Sequence, residues 1–296
     1  MENNDGVACK DKYHFAIVYN AYTNVAYGDC TFLSGCYNWD TCPYIHYTRV
    51  PAINPKTFAD MIKLPKQLEQ AMTYKYGNVE EAVREIASEV KDGREYPAQW
   101  INTDIMKFNF RVIGRYDVIM IDPPWSIHMK LPYQQLSDND IGNLPIGRLQ
   151  DCGIIFLWVT GRVHNKGIQF LKDWGYKYVD QITWVKVNQI NATIATGRTG
   201  HWLNHCKETC LVGIKGSPKA NFMLDKNSIV EEVRGTSQKP DAIYGIIERM
   251  MGPAARKLEL FGRVHNLRAG WLTIGNQLPG VNLVEPILKR RYQRYL

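Results

Sequence analysis

The residues best placed to do chemistry stand in the segment VIMIDPPWSIHM, residues 118–129. An apolar run ends there on Asp122, and Pro123, Pro124 and Trp125 follow directly. Proline has a fixed φ and no N–H, so we expect the carbonyls of this turn to point outward with no local donor competing for them. Trp125 adds a flat apolar face. The turn therefore offers two acceptors, a carboxylate and a carbonyl, beside a surface on which a ring can stack.

Two acceptors of this kind suit the exocyclic amine of a nucleobase. The lone pair of that amine is delocalised into the ring, and the nitrogen becomes nucleophilic only when both N–H bonds are held out of the ring plane. Asp122 and a turn carbonyl would hold them there, while Trp125 or Pro124 stacks on the base. The alternative is a tight strand-to-loop turn in which Asp122 only caps the backbone.

A second chemically active group has the spacing C-x5-C-x5-C-x3-H and consists of Cys30, Cys36, Cys42 and His46. Three thiolates and one imidazole form a complete tetrahedral ligand set for zinc. The segment between them is short and rich in turn residues, so metal binding would supply its folding free energy. The alternative is three incidental cysteines and a surface histidine.

Seven apolar segments predict the strands that position the first group: DVIMI, GIIFLWV, YVDQITWVKV, CLVGIK, SIVEEV, KLELF and WLTIG. Strands this apolar belong to sheets covered on both faces. Helical periodicity at residues 161–175 and 240–251 completes an α/β pattern. In open α/β sheets the ligand crevice lies at the carboxyl ends of the strands, where Asp122 stands. The chain has no Gly-x-Gly and no phosphate-binding loop, so a nicotinamide dinucleotide site is not predicted.

Charge and hydropathy narrow the class of protein. The formal charge of +7 and the pI near 8.9 favour an acidic partner such as nucleic acid. No apolar run approaches the roughly 20 residues of a membrane span, so we expect no membrane association and an intracellular location. Composition divides the chain into a finger region, a helical connector, an α/β domain and a basic tail, at residues 1–50, 51–98, 99–288 and 289–296.

The D-P-P-W sequence resembles the D-P-P-[YFW] signature of amino-group methyltransferases that use S-adenosylmethionine. Longer strings, among them DPPWSIHMKLPY, FLWVTGR, TSQKPDAIYGIIERM and LELFGRVHN, resemble the MT-A family, the eukaryotic mRNA N6-adenosine methyltransferases, and its catalytic subunits in particular. The resemblance implies a Rossmann-like S-adenosylmethionine-dependent methyltransferase sheet with permuted motif order, preceded by a small CCCH zinc finger holding structural Zn²⁺. It implies methylation of the N6 amino group of adenosine in mRNA.

The resemblance also implies which residues bind the cofactor. Thr103, Asp104 and Ile105 would contact its adenine, with Asp104 accepting from the amino group. Asp122 would lie near the sulfonium, and Lys239 would reach the cofactor carboxylate. The ribose hydroxyls and the remaining polar groups would be held by residues that follow strand ends, namely Arg263, His265, Asn266, Asn276 and Gln277.

The same resemblance assigns the acceptor side of the site. The catalytic residues would be Asp122, Pro123, Pro124 and Trp125. Tyr133 and Glu208 would line the target adenosine, and Lys239 would lie over the methyl-transfer position. A basic rim formed by Arg198, Lys207 and the tail KRRYQR would hold the phosphates of single-stranded RNA.

The loop at residues 188–205 is long for a connection in an α/β domain. It combines aliphatic, aromatic and basic side chains of the kind enriched at interface cores: Ile190, Ile194, Arg198, Trp202 and Leu203. The resemblance implies that this loop pairs with a catalytically inactive paralogous methyltransferase subunit to form a heterodimer, and that the complex is nuclear. A lid over the active site is the alternative for the loop. For the whole chain, the alternatives are a non-catalytic RNA-binding scaffold subunit and an adenine-N6 methyltransferase acting on DNA.

Overall fold

The computed structural model describes residues 14–32, 35–50, 96–126, 135–194, 203–235, 237–252 and 254–296. These residues fall into two compact units. The first contains the described part of residues 1–77 together with residues from 186–206 and 231–235, and the second contains the other described residues. Most of the predicted helical connector, through residue 95, lies outside the described residues.

The described residues form eleven strands in two sheets. The small sheet pairs β1 (His14–Val18) antiparallel with β2 (His46–Val50). The large sheet contains β3 (Gln99–Asn102), β4 (Val118–Ile121), β5 (Gly153–Val159), β6 (Lys177–Val187), β7 (Lys207–Lys215), β8 (Ser228–Glu232), β9 (Lys257–Leu260), β10 (Trp271–Gly275) and β11 (Val281–Asn282). Its spatial order is β11-β3-β10-β9-β4-β5-β7-β6-β8.

The centre of the large sheet is parallel. Strands β3, β10, β9, β4 and β5 pair in parallel, whereas β7 pairs antiparallel with both β5 and β6. Every residue of β4, β5, β9 and β10 is buried, as expected for parallel strands covered on both faces. The α/β prediction and all seven predicted strands are therefore confirmed. Strands β9 and β10, late in the chain, lie between β3 and β4, so the sheet has a permuted order.

Two strands of the large sheet were not predicted, and neither were β1 and β2 of the small sheet. Strand β3 is only four residues long and β11 only two, too short for a periodic signal. The polar Gln99 begins β3, and its Oε1 accepts hydrogen bonds from the backbone N–H groups of Val284 and Glu285 at 2.8 and 2.7 Å. That pairing depends on residues far along the chain, so local sequence carries no sign of it.

Helices cover both faces of the large sheet. They are α1 (Asp138–Gly142), α2 (His164–Asp173), α3 (Ala242–Met251) and α4 (Pro286–Tyr295). The two predicted helices correspond to α2 and α3, each shorter than predicted, because the first begins with the 3-10 turn Gly161–Val163 and Pro240 precedes the second. Within the described parts of the chain, no helix combines the length and apolarity that crossing a bilayer requires.

The two faces bury separate apolar clusters. Helix α2 contributes Phe170 and Leu171 to one cluster with alternate residues of β4 and β5. Helix α3 contributes Ile243, Ile246 and Ile247 to the other cluster, which also holds the remaining residues of the same strands. Because side chains alternate along a strand, the two helices clamp β4 and β5 from opposite sides. This packing fixes the strand ends that carry the site.

The first unit contains the small sheet and the described part of the loop after β6. Asn188 donates to the carbonyl of Thr31 at 3.3 Å, and its Oδ1 accepts from the N–H groups of Ile190 and Ala192 at 3.1 Å each. Ile194, predicted to lie at an interface, is instead buried because the loop folds back on β6, with its N–H bonded to Lys186. Other predicted interface residues of this loop, Arg198 and Trp202, lie outside the described residues.

Two glycines allow β9 and β10 to approach closely where they end. A Cβ on Gly275 would overlap the carbonyl oxygen of Gly262, and a Cβ on Gly262 would overlap the side chain of Thr273. Gly262 also donates its N–H to the carbonyl of Ile274 at 3.1 Å. The residues that follow each strand are therefore held side by side.

We expect Gly275→Ala to destabilise the protein by about 1–3 kcal/mol, because the added methyl group meets backbone that cannot move aside without shifting a strand. The matched control is Gly245→Ala in α3, where the nearest atoms are the end of the flexible Arg249 side chain. There the same methyl should be neutral or stabilising by up to about 1 kcal/mol, since alanine has the higher helix propensity. Urea denaturation of both variants checks this; equal stability of the two would contradict it.

Candidate active site

The loops after four parallel strands enclose one pocket. Strands β3, β10, β9 and β4 are neighbours and parallel, so their carboxyl ends meet at one edge of the sheet. The pocket is lined by Asp104, Ile105, Met106, Asp122, Pro124, Leu136, Ser237, Phe261, Gly262, Arg263, His265, Asn266, Asn276 and Gln277. Nine of the sequence-predicted site residues are among them, drawn from all four loops.

A charged cluster stands at the end of β4. Lys239 donates from Nζ to Oδ2 of Asp122 at 2.7 Å and lies 3.4 Å from Oε2 of Glu208. Glu208 reaches this edge because β7 is antiparallel to β5 and begins where β5 ends. The ammonium also lies 5.5 Å from the ring centroid of Trp158. The largely buried ammonium of Lys239 thus forms ion pairs with two carboxylates.

Burial and charge set the protonation of this cluster. Burial raises the pKa of Asp122 above its ordinary value, and Lys239 acts in the opposite direction. Burial lowers the pKa of Lys239, but the charges of Asp122 and Glu208 outweigh it, so this pKa lies above its usual range. Lys239 is therefore a cation at neutral pH and stabilises the ionised carboxylate of Asp122.

The turn after β4 differs in two respects from its prediction. The carbonyls of Pro123 and Pro124 do have local donors, the N–H groups of Trp125 and Leu136 at 2.8 and 2.9 Å. A carbonyl has two lone pairs, so Pro124, which lines the pocket, keeps one acceptor site.

Trp125 does not offer the stacking surface that the sequence predicts. Its side chain is 5% exposed, its ring stacks on Phe170 with centroids 6.2 Å apart, and its indole N–H donates to the carbonyl of Trp158 at 2.9 Å. The ring is buried in the core and is held there by these contacts, so Trp125 anchors the turn after β4. Pro124 is left as the face available to a planar ligand.

The predicted cofactor-binding residues divide into two groups. Asp104, Ile105, Arg263, His265, Asn266, Asn276 and Gln277 line the pocket together with Asp122. Thr103 does not line it, and its N–H is bonded to the carbonyl of Gly275 at 3.0 Å. Lys239 and Glu208 contact each other beside Asp122 without lining the pocket wall. Tyr133 lies outside the described residues.

Sequence reasoning missed several lining residues, among them Phe261, and it missed the backbone strain at two positions of the lining. Ser237 and Phe261 both have φ near +64°, a left-handed conformation that side-chain-bearing residues rarely adopt. Strain of this kind concentrates at functional sites. Met106 and Leu136 also line the pocket, and only their nearness to predicted site residues would have signalled them.

The basic tail belongs to α4, which begins away from this pocket. Glu285, just before α4, binds Arg256 at 2.8 Å, and the N–H of Arg256 donates to Asp117 at 2.8 Å. Asp117 and Arg256 precede β4 and β9, so α4 starts at the edge opposite Asp122. These contacts therefore do not support the tail as part of the predicted rim, which stays a prediction. Lys207 is exposed at the start of β7, on the pocket side, and Arg198 lies outside the described residues.

The four predicted metal ligands come together in the first unit. The donor atoms of Cys30, Cys36, Cys42 and His46 all lie within 4.8 Å of one another. The His46 ring is 1% exposed, lies against Trp39 and has an Nε2 with no hydrogen-bond partner in the described structure. The buried imidazole and the three thiols form one group of donors, and tetrahedral zinc with bonds of about 2.0–2.3 Å fits donors at this spacing.

Burial sets the protonation of the same group. Burial raises the pKa of the Cys30 thiol to about 12, with neighbouring thiols acting in the same direction. Burial lowers the pKa of His46, which keeps the imidazole neutral and able to bind a metal. A cation in the centre reverses the effect on the thiols, so metal binding would release protons.

Comparison with known proteins gives consistent matches. The MT-A70 family profile matches residues 116–277. The chain is 47% identical over 286 residues to the N(6)-adenosine-methyltransferase catalytic subunit METTL3 of Mus musculus, covering 96% of this chain and 47% of the relative. It is 48% identical over 289 residues to the probable N(6)-adenosine-methyltransferase MT-A70-like of Oryza sativa subsp. japonica, covering 97% of this chain and 38% of the relative.

A more distant relative is the N(6)-adenosine-methyltransferase non-catalytic subunit METTL14 of Drosophila melanogaster, 27% identical over 271 residues, covering 81% of this chain and 64% of the relative. The chain spans less than half the length of the METTL3 and rice relatives. The profile match includes the D-P-P-W turn, the loop after β9 and both pocket residues after β10. By this match and by near-half identity along almost its whole length, the chain belongs to the MT-A70 family.

Proposed function

We propose that this protein is an S-adenosylmethionine-dependent methyltransferase that methylates the N6 amino group of adenosine in RNA. The observation that carries the proposal is the Asp122–Lys239 ion pair, which holds a carboxylate at the end of β4 on the wall of the pocket. The names of the catalytic relatives support it. The intact aspartate disfavours a non-catalytic scaffold, because a scaffold needs no charged acceptor there.

The chemistry of the pocket fits the proposed cofactor. Asp104 offers carboxylate acceptors to an exocyclic amine, and Ile105 and Phe261 offer apolar faces to a base. Three amides, Asn266, Asn276 and Gln277, can both donate to and accept from hydroxyls. When bound, S-adenosylmethionine supplies a sulfonium methyl group. Arg263 provides a cation on the pocket wall that suits its carboxylate, and Lys239 lies just behind the wall beside Asp122.

The acceptor side works by positioning. The Asp122 carboxylate accepts one N–H of the target amine, and the unused lone pair of the Pro124 carbonyl accepts the other. Both N–H bonds are then held out of the ring plane, which exposes the nitrogen lone pair to the methyl group. No covalent enzyme intermediate is required. The methylated amine is strongly acidic, so Asp122 or water takes its proton afterwards.

We propose that Cys30, Cys36, Cys42 and His46 hold one structural Zn²⁺. The support is the buried His46: one of its ring nitrogens lies within 4.8 Å of three thiol sulfurs, and its Nε2 has no hydrogen-bond partner in the described structure. The donor set of nitrogen and sulfur atoms is closed, with no position for a substrate, so the ion would stabilise the finger without taking part in methyl transfer.

We propose that the chain pairs with a catalytically inactive paralogous subunit and acts on single-stranded RNA in the nucleus. The support for pairing is the loop after β6, where Ile190 and Leu203 are 60% and 80% exposed, together with the non-catalytic relative. Exposed apolar side chains of this kind could be buried against a partner subunit. The nuclear location rests on the family resemblance alone. Cell fractionation that finds the chain only in the cytoplasm would contradict the nuclear assignment.

The first test combines substrate choice with the role of Asp122. With labelled S-adenosylmethionine and matched RNA and DNA oligonucleotides, we expect transfer to RNA containing adenosine and a fall of at least about 100-fold in Asp122→Asn, typical of a lost charge-stabilising contact. The control is Asp225→Asn, which removes an aspartate–arginine pair (Arg249, 2.8 Å) away from the pocket and should keep wild-type turnover. Preferred transfer to DNA, or half of wild-type turnover in Asp122→Asn, would refute the assignment.

The second test is metal content. Elemental analysis of the intact chain should give a zinc stoichiometry near one that disappears in Cys36→Ser, because three remaining ligands hold zinc weakly. Cys152→Ser, an exposed cysteine outside the cluster, should keep the metal. A zinc-free chain with an intact finger would rule out the site.

The third test is association. We expect the chain alone to be weakly active and to gain turnover when the paralogous subunit is added. Leu203→Asp should abolish the gain, because it sets a charge in an apolar interface, whereas Met223→Asp, at a 98% exposed position outside the loop, should not. Full activity of a monodisperse monomer, unchanged by the paralogue, would overturn the proposal.

A further inference from the structure

Behind the pocket lies a buried hydrogen-bond chain that begins at Asn266. Its Oδ1 accepts from the backbone N–H of Arg263 at 2.8 Å, and its Nδ2 donates to the hydroxyl of Tyr244 at 2.9 Å. The Tyr244 hydroxyl lies 3.0 Å from both carboxyl oxygens of Glu259. Tyr244 and Glu259 are buried and neither lines the pocket, whereas Asn266 does.

The chain has one consistent direction. The backbone N–H of Arg263 can only donate, so it faces Oδ1 of Asn266, and Nδ2 then faces the Tyr244 hydroxyl, which accepts. The single hydrogen of that hydroxyl is left for Glu259. Burial raises the pKa of Glu259 to about 8, yet a protonated carboxyl still keeps an unprotonated oxygen as acceptor. Asn266 must therefore turn its Nδ2 to Tyr244 and its Oδ1 to the N–H of Arg263. The reverse orientation would place donor against donor and acceptor against acceptor.

Tyr244 is itself firmly held. The Arg268 guanidinium lies 3.5 Å from the centroid of its ring and donates to Asp241 at 2.9 Å. The Trp271 ring packs edge-on against the Tyr244 ring, with the two ring centroids 5.2 Å apart. Glu259 lies in the middle of β9, the strand that leads into the pocket loop. The position of the hydroxyl thus depends on the sheet and not on the ligand.

We propose that Tyr244 and Glu259 are positioning residues that lock the Asn266 amide in one orientation for a vicinal diol, the ribose of the cofactor. With two of its groups already engaged, the amide has one Nδ2 hydrogen and one Oδ1 lone pair left for the pocket. One donor beside one acceptor matches two neighbouring hydroxyls. The inference rests on the proposed function for the identity of the ligand, and extends it to residues that do not touch that ligand.

The test compares two ligands in one set of variants of the intact chain. Calorimetry measures the Kd of S-adenosylmethionine and of its 2′,3′-dideoxy analogue, which lacks the diol. We expect Tyr244→Phe to weaken S-adenosylmethionine about tenfold, since an unlocked amide loses roughly one hydrogen bond, while the Kd of the analogue changes by less than about twofold. Glu259→Gln keeps an acceptor for the tyrosine hydroxyl and should remain close to wild type.

Because Tyr244→Phe leaves a buried carboxyl without its donor, the double variant Tyr244→Phe/Glu259→Leu provides a second route, and it should give the same diol-dependent loss. Equal loss for both ligands in the folded variants, or loss for neither, overturns the inference. Methyl transfer by the wild type is measured alongside, with the proposed paralogous subunit added. Normal transfer without a diol-dependent loss refutes this inference alone, and absent transfer with that loss intact refutes the proposed function alone.

Discussion

The site depends on the ion pair between Lys239 and Asp122, which joins segments 117 residues apart in the chain. Removing two charges from water is costly unless their attraction and further hydrogen bonds compensate. Here the lysine also approaches Glu208, so one cation offsets two carboxylates. Loss of the lysine would leave two uncompensated acids beside the pocket. The backbone of Ser237 is strained in a left-handed conformation. The ion pair holds the segment that follows Ser237 against the end of β4.

The strand order determines what this pair can act on. Strands β9 and β10 come late in the chain but lie between β3 and β4, so Asp104, Asn266 and Asn276 are brought to the same pocket wall as Asp122. Asp104, Asn266 and Asn276, whose side chains suit a nucleoside, thus lie next to Asp122, whose carboxylate suits a target amine. Asp122 belongs to both sets, which couples ligand binding to the proposed acceptor chemistry.

The local sequence predicted the buried strands and the sheet edge that carries the pocket, because both depend on the pattern of neighbouring residues. Apolar runs such as GIIFLWV predicted buried strands correctly, and the position of Asp122 after one of them predicted the edge of the sheet that carries the pocket. The stacking role of Trp125 was wrong, because only the packed structure reveals that Phe170 covers its ring and that the Trp158 carbonyl binds its N–H. Strand β3 and the strained backbone at Phe261 depend on distant partners, which no periodicity reports.

Family resemblance supplied the roles of individual residues, and the structure shows that most of them share one pocket. The hydrogen-bond chain behind Asn266 was missed, because Tyr244 reads as one more apolar position in α3 and Glu259 as an isolated acid in an apolar strand. A buried acid in a central strand is the signal that would have found it, since such a group needs a donor.

The measurement that tests the central claim most directly is the position of the transferred methyl group. RNA is incubated with S-adenosylmethionine, the protein and the proposed paralogous subunit, and is then digested to nucleosides, which are identified by mass spectrometry against standards. A carboxylate held at an exocyclic amine predicts N6-methyladenosine as the product. A methyl group on the ribose 2′ oxygen, or on the ring nitrogen N1, would contradict the role given to Asp122.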